Sequence, residues 1–597
     1  GETPDVANLA TALAGKLQVV GWGASDDLKG LLALDRTPRD AATDERRRAV
    51  SELLREMNTN LPLVTVVAPQ DELQVAAKGA KKMEPIYKTP YFAEKLSSTV
   101  ASSQIKFPPV NPYIPDTDPK PKYAKKGKPT LKDFGPPTKL EDDGFGKLWF
   151  KEDRIFGVPR AAVLVLLRTE ATGSRSAADA IHARIWTRLA TDALRDADYQ
   201  RDFDSYDASL AGLEWTLGAG PRGVQLSFGG YDAKLPELAE AVVSAVKGFD
   251  AVQYALKNDN LERVLDGTRR DIRAARAAPA SSRCIEELGV LTERPKFPLI
   301  EAENALKKTN AESLRKWLTE NANVFGSVAA TDVLVEGNCD ETYARRIEKS
   351  VRSGLSGGST IPPEPSVLKV PLASVVPIRY AAKPSASDEV NYAAIYSYQT
   401  GSGSDVRAAT LVLSSVLEAP FYEALRTKRQ LGYVVQAASR YREGVSSMVF
   451  LAQSAKDDEV SKGPLDLVRY IDEFLDGEAP SLLDKLDAAQ LADIVDGLAR
   501  RLDELPKALG GAVAPHWDEI VSRRYDWDRR AREAAALRKL SVGDVRDLFY
   551  LSLARTGASR RPILVVADRG KPSSSMRTDA IPDAAAWASK LESYPSV

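Results

Sequence analysis

In the stretch "PFYEALRTKRQLGYVVQ", residues 420–436, an amphipathic helix runs into a Leu-Gly-Tyr corner and then an apolar strand. Arg426 and Tyr433 stand seven residues apart around that corner. A guanidinium is always charged and offers its donors in a rigid fork. A phenolic hydroxyl, ordinarily titrating near ~10, is still a donor at neutral pH. Both residue types are therefore hydrogen-bond donors at neutral pH. Histidine is scarce: His182 and His516 are the only two, 334 positions apart. No pair has the helical spacing that sets two imidazoles on one zinc ion. His516 in "APHWDEI" and His182 in "ADAIHARIWTRLA" both read as structural.

Such a corner needs a scaffold, and 597 residues are too many for one core. Lys+Arg 82 against Asp+Glu 83 gives a net charge of -1, so no overall basic field argues for nucleic acid. The longest apolar runs, such as "AAVLVLL" at 161–167, fall well short of the ~20 residues of a membrane span. "GETPDVANLA" lacks the basic start and apolar core of a signal peptide, and the compartment stays open. Cys284 and Cys339 cannot make a disulfide framework. They read as buried thiols, and whether they pair is open.

The chain repeats itself. "LAGLEWTLGAGPRGVQLSFGGYDAKLPELAEAVVSAVKGF" (210–249) parallels "QLGYVVQAASRYREGVSSMVFLAQSAKDDEVSKGPLDLVRYIDEFL" (430–475). Each has a glycine after a helix, two strands with a turn between, and a closing amphipathic helix. Gly212 and Gly432 lie 220 apart. On that offset Tyr206 stands opposite Arg426 and Leu213 opposite Tyr433, so the first copy lacks the polar pair. "ERVLDGTRRDI" (262–272) likewise answers "ADIVDGLARRL" (492–502). The closing helix-turn-strand pattern also occurs near the start, at 47–69. From this we expect the chain to begin inside a domain, through processing, nicking or truncation.

The expected organisation is a remnant of a preceding domain at 1–75 and an extended, Pro- and Lys-rich strap at 76–142. A third domain at 143–352, a linker at 353–370 and a fourth domain at 371–597 follow. Strands such as "AAVLVLLRT" and "NYAAIYSYQT" with paired amphipathic helices predict α+β domains, each a mainly antiparallel sheet with helices on one face. "GSGSD" (401–405) lacks the P-loop lysine and reads as a turn. "RRYDWDRRAREAAALRK" (523–539) reads as a solvated basic helix.

The segment "FYEALRTKRQLGYVV" resembles the C-terminal half of the insulysin/pitrilysin family of zinc metallopeptidases. "FPPVNPYIP" (107–115), "KLWFKEDRIFGVPRAAV" (147–163), "LSFGGYDAKLPEL" (226–238) and "HWDEIVSRRYDWDR" (516–529) resemble it too, in family order. The resemblance implies four homologous domains joined as two halves that close like a clamshell on a peptide. It implies that zinc, with its His-x-x-Glu-His motif, sits on the N-terminal half, the partner of this chain, and not here. Arg426 and Tyr433 would be the C-terminal half's catalytic contribution, with Tyr422, Gln430 and Gly432 contacting substrate. A chain alone would then be inactive. The other class of function is a binding or assembly subunit with no catalytic role, like the respiratory-complex core subunits of this architecture.

Overall fold

The computed structural model describes residues 110–595 except 116, 118, 124–128, 197–203, 356, 359, 373–377, 382–388, 569–580 and 582. Before residue 110 it describes one small ribbon, Lys82–Met83 paired with Pro90–Tyr91. The pattern at 47–69 and the remnant at 1–75 lie outside the described residues. The chain divides into two compact units, 1–108 and 109–597.

Two sheets organise the second unit. The six-stranded sheet comprises β1 (Thr138–Asp142), β2 (Gly146–Glu152), β3 (Arg160–Arg168), β4 (Leu213–Gly220), β5 (Gly223–Tyr231) and β6 (Ala330–Gly337), in the order β1-β2-β6-β3-β5-β4. The five-stranded sheet comprises β7 (Ile378–Ala381), β8 (Tyr392–Ser402), β9 (Val435–Arg442), β10 (Val445–Ser454) and β11 (Pro562–Ala567), in the order β7-β11-β8-β10-β9. All neighbours are antiparallel except β2 with β6 and β7 with β11. Without β1 the two topologies are the same, which is the repeat read from the sequence. β1 itself is a departure: its residues close the segment expected to be an unpaired strap. "TKLED" has one apolar residue, Leu140, and an edge strand needs no more.

Both central strands are apolar at nearly every position because both sheet faces are covered. Along β3, Val163, Val165 and Leu167 face one core while Ala162 and Leu164 face another. Along β8, Tyr392, Ala394, Tyr396 and Tyr398 join one core while Ala393 and Ile395 join a second. The first core of each sheet is filled by its own helices: α1 (Ala177–Ala193) and α2 (Leu235–Lys247) on the six-stranded sheet, α5 (Ser404–Tyr422) and α6 (Pro464–Glu473) on the five-stranded one.

The second face is covered by exchange. Helix α4 (Ala280–Thr292), which follows α3 (Asn260–Arg276) in the first copy, lays Ala280, Cys284, Leu288 and Leu291 on β8 and β11 of the other sheet. Its counterpart α8 (Leu509–Val521), which follows α7 (Ala488–Asp503), lays Val513 and Ile520 on Trp149 and Leu334. Fully burying an aliphatic side chain is worth about 1.5–3 kcal/mol, so the exchange couples the two halves strongly. The expected helices-on-one-face arrangement thus holds for each copy's own helices, and the partner copy covers the other face.

A buried charge cluster marks the join. Arg168 has no exposed surface and donates to Asp332 Oδ2 (2.6 Å) and Glu364 Oε1 (2.8 Å). Its Nη2 donates to the Ile520 and Val521 carbonyls at 3.3 and 3.0 Å. A cation at these last carbonyls of α8 is where the helix dipole favours one. Arg222, at the β4–β5 turn, reaches both Glu364 (2.7 Å) and Glu443 at the β9–β10 turn (3.0 Å).

Candidate functional site

Helix α5 carries Pro420 in its last turn, where a missing N–H and a bulky ring disturb the regular ladder. The chain leaves α5 through a π-helical turn, Glu423–Lys428, a wide turn of the kind often found at functional sites. Arg426 lies on this turn. Ala424 and Leu425 are buried beneath it, so the turn is anchored from its inner side.

Four features fix the corner that follows. Gln430 takes a left-handed backbone, φ 53, uncommon for a residue with a side chain. Leu431 is fully buried, and its N–H donates to the Leu425 carbonyl at 3.1 Å. Gly432 runs against β10, where a Cβ would come within 2.4 Å of the Gln453 carbonyl oxygen. Only glycine allows that approach. The Gln453 N–H then donates to the Val434 carbonyl at 2.8 Å, and pairing of β9 begins with Val435 opposite Ala452.

The corner brings Arg426 and Tyr433 together. The guanidinium carbon lies 4.9 Å from the centroid of the Tyr433 ring, and Nη1 donates to the Leu431 carbonyl at 3.3 Å. Tyr433 is 89% exposed, so its hydroxyl stands in the open while the cation on its ring holds its place. Tyr422 ends α5, one turn before Arg426, and is half exposed. Gln430 is exposed on the corner itself, whereas the part of Gly432 visible here is its packing on β10.

The duplicate corner needs a correction in register. β4–β5 pairs Leu213 with Gly230 and β9–β10 pairs Val435 with Ala452, so the hairpins correspond at an offset of 222, not 220. Gly212 abuts its strand while Gly432 precedes its strand by three residues, which makes the glycine-to-glycine match two residues out. Leu213 is therefore the counterpart of Val435, and both are buried. Ala211 takes the place of Tyr433, and the first copy still lacks an Arg/Tyr pair.

The remaining candidates are occupied structurally. His516 is buried with Nδ1 2.8 Å from Glu336 Oε2. His182 sits with Nδ1 2.9 Å from the Ala178 carbonyl and Nε2 3.2 Å from Ser313 Oγ, and burial lowers its pKa. In the basic segment Arg524 and Arg529 clasp Glu519 at 3.2 and 2.8 Å, while Arg532 and Arg538 pair with Asp526 and Asp503. Its charge is largely neutralised within the fold. Cys284 and Cys339 are separate free thiols, both buried. Among the described residues no group of three or more His, Cys, Asp or Glu could hold a metal ion, and no helix is long and apolar enough to cross a membrane.

Two homologous α+β units with reciprocally exchanged helices define a class, and comparison with known proteins supplies its family. Residues 39–305 match the middle or third domain of peptidase M16, and residues 412–517 match the C-terminal lobe domain 4 of PQQ synthase PqqF-like proteins. The chain is homologous to insulin-degrading enzyme and nardilysin and fits an insulysin-like M16 protein. It is 26% identical to a nardilysin-like protein of Arabidopsis thaliana over 78% of this chain and 44% of that one. With insulin-degrading enzyme of Homo sapiens it shares 27% identity over 71% of this chain and 40% of the relative. The crystal structure of pitrilysin matches with a TM-score of 0.68 at 19% identity, covering 83% of this chain and 49% of that one, a likeness of fold. The chain thus spans less than half the length of these relatives.

Proposed function

We propose that this chain is the C-terminal, non-zinc-binding half of an insulysin-like metalloendopeptidase, with 143–352 and 371–597 as its third and fourth domains. The observation that carries the reading is the Arg426–Tyr433 pair on a rigid, exposed corner within a region matched to the C-terminal lobe of a related family. In this reading a zinc-bearing N-terminal half, in the same or a separate polypeptide, closes on a peptide held between the two. Zinc there would activate the attacking water and polarise the scissile carbonyl. The Tyr433 hydroxyl and the remaining Arg426 donors would meet the oxygen that gains charge. Each such donor can be worth roughly 2.7–4 kcal/mol to the transition state. Tyr422, Gln430 and the backbone of Gly432 would touch the flanking peptide.

The test is metal analysis of the isolated chain together with a fluorogenic-peptide assay, with and without the N-terminal half. Expected are no stoichiometric zinc and turnover only after reassembly. Full activity of this chain alone would overturn the reading. Full turnover of a reassembled Tyr433→Phe variant would favour a silent binding or assembly subunit of the same architecture.

A further inference from the structure

Beside the corner stands a second side chain whose bonds all serve to fix it. Arg429 directly follows the π-helical turn. Its Nη1 donates back to the Ala424 carbonyl at 3.3 Å, within that turn, and its Nη2 donates to Glu473 Oε2 at 2.8 Å. The same guanidinium lies 4.6 Å from the Tyr470 ring centroid, and the Arg429 carbonyl accepts from Lys456 Nζ at 3.5 Å. Glu473 closes α6 and opens a second π-helical turn, Phe474–Glu478. It is held in turn by Arg469 Nη1 at 3.1 Å. The second turn also meets the end of α5 in the core, where the Phe421 and Phe474 rings pack edge to face at 5.1 Å.

In a π-helical turn the carbonyls are met from i+5 rather than i+4, and a side chain that returns to one of them from that position fixes the turn's exit. Arg429 does this while tied to a neighbouring helix, and Gln430, with its left-handed backbone, comes next. Resting on the reading that Arg426 and Tyr433 serve the reaction, we infer that Arg429 is a positioning residue: with Glu473 it sets the exit of the π turn and thereby the placement of Arg426 and Tyr433. The hydrogen bonds and ring contact of its guanidinium go to Ala424, Glu473 and Tyr470, and not to either of them. Its side chain is 27% exposed and that of Glu473 43%, and ion pairs so exposed add little to global stability. The contribution is therefore local, which makes it separable from a folding role.

The experiment combines hydrogen exchange on the full chain with kinetics after addition of the N-terminal half. Arg429→Ala and Glu473→Ala should each speed exchange of the Leu431 amide severalfold, leaving the melting temperature nearly unchanged. Each should lower kcat, by on the order of 10²-fold for a displacement of ~1 Å, with a smaller change in KM. The double variant should be no worse than either single, because the two act as a unit. Arg429→Lys should restore little, since an ammonium lacks the fork that spans carbonyl and carboxylate. A Tyr433→Phe control separates two failures. Full turnover in that control overturns the functional reading. Reduced turnover there, with unchanged Leu431 exchange and unchanged kcat in Arg429→Ala, overturns this inference alone.

Discussion

The guanidinium of Arg426 lies over the ring of Tyr433, 4.9 Å from its centroid, across a corner whose backbone is pinned at Leu431 and Gly432. The cation steadies the ring and leaves the hydroxyl exposed, so the two residues should fail differently. Tyr433→Phe keeps the ring and removes one donor. It should lower kcat by on the order of 10²–10³ in the reassembled enzyme, with little change in KM. Steady-state kinetics on a fluorogenic peptide would check this, and an unchanged kcat would remove Tyr433 from the chemistry.

Arg426→Ala should lower kcat and also raise KM, because the fork can hold substrate backbone in both ground and transition states. It should also free the Tyr433 ring. Arg426→Lys should recover little of the loss, a point charge being a poor copy of the fork. Recovery of full kcat with lysine would show that charge alone is used.

The corrected register changes what is expected of the duplicate corner. Leu213 is 2% exposed, packed within the core of the six-stranded sheet. Leu213→Tyr must overpack that core and bury a hydroxyl, at a cost of about 1–3 kcal/mol from overpacking alone. A fall in the urea midpoint is the expected result. Had position 213 matched Tyr433, the substitution would have been nearly neutral, so an unchanged midpoint would revive the 220 offset.

Much of this was legible in the sequence, for identifiable reasons. Period-two patterning marked both hairpins, and the paired copies in 210–249 and 430–475 fold into sheets of the same topology. The helix exchange was not legible. The apolar faces of α4 and α8 say that each is buried but not on which sheet. The π turn escaped because its residues, "EALRTK", are ordinary helix formers, although Pro420 signalled a disturbance one turn earlier. Arg429 looked like one more surface charge in "RTKRQ". Its partner lies 44 residues away, and only the fold brings it near.

At the join, Arg168 is a fully buried charge whose partners come from β6, the connecting segment and the end of α8. Arg168→Met should leave the Asp332 carboxylate, 3% exposed, without its cation. Removing one partner of a buried pair typically costs about 3–5 kcal/mol. Denaturation followed by tryptophan fluorescence should show the drop. Arg500→Ala, at an exposed pair with Asp496, should cost under ~1 kcal/mol. Equal losses from the two variants would mean that burial does not set the worth of these ion pairs.

Helix α4 inserts Cys284 between the two copies. Its sulfur lies 3.7 Å from both the Ala393 and Val565 carbonyl oxygens, with no exposed surface. Burial pushes the thiol pKa up to about 12, against about 8.5 for an exposed cysteine. The folded chain therefore keeps a proton that the unfolded chain releases. A group raised in this way gives a contribution that is complete below ~8.5 and falls away as pH rises toward the folded value. Between roughly pH 9 and 11 this thiol should add up to about 1.4 kcal/mol of lost stability per pH unit. Cys284→Ala should be less stable at pH 7, through the small cavity, yet lose stability less steeply above pH 9. Urea midpoints of both proteins across pH 7–11 would measure the two slopes, and parallel slopes would sink the idea. Ellman's reagent offers a second reading, since the thiol should stay silent in the native chain and react once α4 leaves its sheet.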